Sequence, residues 1–175
     1  MLSQDYQTTH DIDWFCVINT HHVHVASNGN SIPKHYENKT FLMDIQRQVY
    51  AMPLFYDYEL NRGYLERVFS DGRLAHVTLL DDSQIEALIP MEIDFGNKKL
   101  SVLEKAYCWS FIEMAQKGFY SYDTDQEGYH LIAYPQNIDS EEIEYPPQIP
   151  RLTLDDYNEQ HLSQDLVNLI NNMCK

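Results

Sequence analysis

Residues 101–118 constrain this chain more than any other stretch. Ser101 and Glu104 have the spacing of a capping box, in which the serine side chain accepts the third backbone N–H of a helix and the glutamate reaches back to the serine's own N–H. Gly118 stands where a helix closes in a left-handed residue. Together they predict a central helix over 102–117, with Leu103, Tyr107, Ser110, Phe111 and Met114 as its apolar stripe. Trp109 and Ile112 fall off that stripe, so the helix is expected to be covered on more than one side.

Around this helix the pattern is that of short strands. Residues 14–18 and 22–26 alternate in the manner of a hairpin, and so do 119–123 and 128–134. Ser70-Asp71-Gly72-Arg73 reads as a turn between strands at Tyr64–Phe69 and Leu74–Leu80. Leu60, Tyr64 and Val68 could instead continue a helix through Gly63. Met91–Phe95 reads as a further strand. Leu42, Ile45, Val49 and Met52 mark an amphipathic helix stopped by Pro53, and Ser83 with Glu86 marks a short one ending before Pro90. Residues 135–150, with four prolines and four acids, form an extended acidic strap. It leads to a C-terminal helix over 154–173 capped by Thr153 and Asp156. Strands and helices do not alternate regularly, so the expectation is an α+β fold: a single domain over 1–175, with antiparallel β-hairpins packed on the central helix.

The charge is lopsided. The chain has 12 basic and 27 acidic residues, a net of −15. Before residue 81 there are 6 basic residues against 9 acidic; from there on, 6 against 18. Within 118–165 only Arg151 is basic. The acid excess argues against nucleic acid and against anionic membrane surfaces as direct partners, because both need a basic footprint. It suits a basic protein, whose approach such a field would speed. The acidic half also holds many of the chain's 13 tyrosines, a residue that suits interfaces because it combines a large apolar area with a polar tip. The candidate binding patch is therefore Asp123, Asp125, Glu127, Asp139, Glu141, Glu142, Glu144 and Tyr145.

Other chemistry is thinner. On a strand, His22 and His24 point to one side and could share a divalent transition metal, with His10, Asp11, Asp13 or His35 completing the set. Asp123 to Gly128 resembles the first half of an EF-hand calcium loop at its first, third and sixth positions. The fifth is Glu127, however, and the twelfth, where a bidentate glutamate is needed, is Tyr134. The segment therefore reads as an acidic hairpin turn. Cys16, Cys108 and Cys174 form no paired motif, so neither a disulfide framework nor a catalytic thiol is expected, and a reducing cytoplasm is the simplest compartment. There is no phosphate-cradling glycine loop and no nucleophile-elbow motif. The first residues lack the basic and apolar regions of a secretory signal.

These features favour a non-enzymatic cytoplasmic module that needs no cofactor and engages a basic protein, as an inhibitor or immunity-type protein would. Two alternatives stand beside it. One is a small metal-dependent enzyme centred on His22 and His24; the other is a structural subunit that forms an oligomer.

Overall fold

Two antiparallel hairpins carry the sheet. The first joins β1 (Asp13–Ile18) to β2 (His21–Ala26) through Asn19, whose φ of 55° makes the tight reversal. The second joins β4 (Tyr120–Asp125) to β5 (Gly128–Pro135). β2 and β4 then pair in parallel, with Val23 opposite Tyr120 and Ala26 opposite Asp123. β3 (Tyr58–Leu60) extends β5 antiparallel, and the two-residue β6 (Arg151–Leu152) lies parallel to β1. The result is one six-stranded sheet in the order β3-β5-β4-β2-β1-β6. The computed structural model describes residues 2–30, 32–71, 80–138, 143–153 and 164–173.

Helices sit around this sheet: α1 (Gln4–Thr9), α2 (Lys39–Tyr50), α3 (Arg62–Ser70), α4 (Asp82–Glu86), α5 (Val102–Gln116) and α6 (Gln164–Met173). The fold is α+β, as expected, and α5 has the capping box of Ser101 and Glu104. Its buried side is rotated from the expected stripe. Cys108, Phe111, Ile112, Met114 and Ala115 are buried, while Leu103 and Tyr107 are only partly covered.

Three local expectations are corrected. Tyr64–Phe69 is helical, not a strand, because the Asn61 side chain accepts the Tyr64 N–H as an N-cap and Tyr64, Leu65 and Val68 bury one helical face. The opposite arm of that expected hairpin falls largely at 72–79, outside the described residues. Met91–Phe95 forms turns rather than a strand, and Met91 is 97% exposed. The cap of α4 is Asp81 with Gln84, two residues ahead of the Ser83 and Glu86 pair. Of the C-terminal helix, 164–173 is seen, with Leu169 and Ile170 buried, and 154–163 lies outside the described residues.

One contact ties the Pro-rich strap to the end of α5. Gly118 adopts φ of 90°, and a Cβ there would collide with Tyr145 Oη and lie 2.9 Å from the Tyr56 ring. The Tyr145 hydroxyl also donates to the Gly118 carbonyl at 3.3 Å. Gly118→Ala therefore combines backbone strain with a clash and should cost roughly 2–4 kcal/mol. Chemical denaturation checks this; a loss below ~0.5 kcal/mol would mean the strap does not seat as described.

Candidate functional site

A buried imidazole organises the site. In the strand registers Asp13, Phe15, His24, Ala26, Ser121 and Asp123 share one face of the sheet, because paired residues lie on the same side and alternate residues return to it. His24 is 1% exposed, and both its ring nitrogens are used. Nε2 lies 3.1 Å from Asp13 Oδ1, and Nδ1 lies 2.7 Å from Ser121 Oγ. Ionised Asp13 can only accept, so Nε2 donates to it. Burial would raise the Asp13 carboxyl, but the His24 hydrogen bond, the attraction of that ring and the Tyr50 hydroxyl outweigh it and hold the carboxyl below its ordinary value. The connectivity is that of a serine–histidine–aspartate relay. Its orientation is reversed, though: Ser121 is fully buried, and the carboxylate is the end that meets solvent. The relay thus positions Asp13 and presents no nucleophile.

Asp13 lies on the wall of a groove of about 610 Å³. Asp11, Asp123 and Asp125 line the same groove, and Tyr64, Tyr107, Trp109 and Phe111 supply aromatic surface. Asp11 is held by the Asn28 N–H at 2.7 Å. Asp123 accepts from the Tyr107 hydroxyl at 2.8 Å, and Asp125 from the Tyr64 hydroxyl at 3.2 Å. Burial pushes the Asp123 carboxyl up; the Tyr107 and Thr124 hydrogen bonds oppose this, and the charges of Asp11 and Asp125 add to it. Among the described residues that line the groove, none is basic. The arrangement is a negatively charged slot with aromatic walls, suited to a cation whose stem is apolar.

The residues named from the sequence divide. Asp123 and Asp125 are in the groove, and Glu127 stands beside them at the β4–β5 turn, which is a hairpin as expected. Glu144 and Tyr145 belong to the strap, where Tyr145 stacks on His22 at 3.5 Å with the rings 7° apart. That contact is at the start of β2, whereas Ala26 at its other end borders the groove. Asp139, Glu141 and Glu142 lie outside the described residues. His22 and His24 do share a face, but one stacks on the strap and the other is bonded within the relay. Sequence reading did not place Asp11, Asp13 and the α3 and α5 tyrosines together. The only local sign was two aspartates alternating into a strand.

No family model, curated protein or solved structure matches this chain.

Burial, with Arg151 adding to it, pushes the His22 imidazole down to about 4 from 6.5. The unfolded chain takes up this proton near pH 6.5 and the folded chain only near 4, so the contribution of the neutral ring is complete above 6.5 and lost as pH falls to 4. His22→Phe keeps a ring against Tyr145 and cannot titrate. Relative to the variant, the parent chain should lose on the order of 2 kcal/mol across that interval, measured by urea unfolding at stepped pH. Parallel pH profiles would refute this.

Proposed function

We propose that the protein is an acidic binding module that engages a basic protein partner, and that the partner's arginine or lysine side chains enter the groove of Asp11, Asp13, Asp123 and Asp125. A single observation carries the reading: four carboxylates converge on one aromatic-walled slot whose described lining has no basic side chain. Burial, with the charges of Asp11 and Asp125 adding to it, pushes the Asp123 carboxyl up. A cation in the groove would favour the ionised carboxylates, so its binding gains from their convergence. The tyrosine hydroxyls that donate to Asp123 and Asp125 fix the carboxylates in place, and Tyr107, Trp109 and Phe111 offer ring surface for an alkyl stem. An inhibitor or immunity-type protein that masks a basic enzyme is the form of such a module that the composition suggests. Among the described residues no helix is long and apolar enough to cross a membrane.

The paired variant Asp123→Asn with Asp125→Asn tests the reading. Its affinity for the basic partner should fall at least about tenfold, and the dependence of affinity on salt should flatten. Asp123→Asn alone should change folding stability by less than about 1 kcal/mol, because it ends the burial of a charge beside Asp11 and Asp125 while its single oxygen keeps only one of the Tyr107 and Thr124 hydrogen bonds. The measurements are calorimetric titration at two ionic strengths and thermal unfolding. Unchanged affinity and salt slope in the paired variant would remove the groove as the site, and a loss confined to strap variants such as Glu144→Gln would move it there.

A further inference from the structure

The turn that closes the second hairpin carries a second set of ligands. Asp125, Glu127 and His130 each place one ligand atom so that all three lie within 4.8 Å of one another. From these donors we infer that the β4–β5 turn binds a divalent transition cation of the zinc class. The inference goes beyond the groove reading and does not depend on any partner.

The geometry begins with register. His130 is opposite Asp123 in the β4–β5 ladder, so its ring is on the face of Asp125 and diagonal to it. Its Nε2 lies 2.8 Å from Asp125 Oδ1. Two donors that each sit about 2.1 Å from one tetrahedral or octahedral ion are themselves about 3 Å apart, so an ion can replace this hydrogen bond with little movement. The ring hydrogen then resides on Nδ1, and Nε2 gives its lone pair to the metal. Glu127 reaches in from the turn and supplies the third donor.

Tyr64 on α3 supports two of the three ligands at once. Its ring stacks on His130 at 4.4 Å with the planes 12° apart, and its hydroxyl donates to Asp125 Oδ2 at 3.2 Å. Oδ1 accepts the Glu127 backbone N–H at 2.7 Å as well as facing the His130 ring, so it is the oxygen turned towards the other two ligands. An outer residue that fixes both a ligating imidazole and a ligating carboxylate is the usual means of orienting a metal site. The side chains of His130 and Asp125 are only 15% and 18% exposed, so these two ligands are held within the fold rather than waving in solvent. A cavity of about 460 Å³ opens on Asp125 and Glu127, with Asn28 and Asn30 on its far side, and gives an ion and its remaining water ligands room to enter. The imidazole nitrogen sets the class of ion. Calcium and magnesium favour all-oxygen shells, whereas a nitrogen with two carboxylates suits zinc and its neighbours.

Calorimetric titration of the full chain with zinc chloride, with no partner present, tests this. The expected result is saturable uptake of one ion. His130→Ala and Glu127→Gln should each weaken it at least about tenfold, and Tyr64→Phe should weaken it by roughly the factor seen for outer-shell changes, about tenfold. His22→Ala should leave it unchanged. Glu127 is exposed, so its variant keeps the fold if the hairpin is disturbed in the other; thermal unfolding of the metal-free proteins verifies this. The inference is overturned if no saturable one-ion uptake occurs, or if both His130→Ala and Glu127→Gln bind zinc as the parent does. Calcium binding as tightly as zinc would overturn it as well. The paired groove variant removes the ligand Asp125 and so bears on both sites, whereas Glu127→Gln and His130→Ala leave all four groove carboxylates in place, so zinc uptake and partner affinity can fail separately.

Discussion

The buried imidazole of His24 is the constraint on which the rest of the structure depends. An imidazole taken wholly out of water must find a partner for each nitrogen, or the fold bears the full desolvation of the orphaned atom. One partner comes from β1 and the other from β4, so the same ring clasps the first hairpin and crosses the seam to the second. That clasp holds β2 between an antiparallel and a parallel neighbour. It also explains why an aspartate can occupy the first position of a largely buried strand: its charge is matched by the ring below and the Tyr50 hydroxyl beside it.

Acidity in this molecule is therefore two different things. Asp13 is a carboxylate whose ionised form the fold favours, and Asp123 is one whose ionised form the fold disfavours, although they border a single groove. The contrast follows from partners. Asp13 has an imidazole behind it, while Asp123 has a phenol in front and two more carboxylates for neighbours. A diffuse solvating surface would not build such opposed environments within one slot, and this difference separates the groove from the general negative charge of the chain.

Much of this was legible in the amino-acid sequence wherever the determinant was local. The helix of 102–117 is specified by its own two ends, and both hairpins by alternation that needs no distant partner. Tyr64–Phe69 was misread because aromatic and β-branched residues favour a strand, while the deciding group, the Asn61 side chain, lies just outside the segment. The acidic half was recognised, yet among its named residues that are described only Asp123 and Asp125 line the groove. The other two carboxylates come from the opposite end of the chain, and no spacing rule links Asp11 to Asp123. Their meeting is a product of the parallel seam, and a seam has no local signature. The same holds for Tyr64 and His130, which are brought together by a helix packing on a hairpin.

That seam also sets an order of events. His24 and Ser121 are 97 positions apart, and everything between β2 and β4 must loop out and return before they can meet. Pairings this distant are slow to form, because the loop must close before any contact rewards it. While the chain leaves the ribosome, the first hairpin waits with one imidazole nitrogen unsatisfied until well over a hundred residues have been made. The chain thus completes its charged slot late, and a nascent or truncated chain ending before β4 lacks the Asp123 and Asp125 wall altogether.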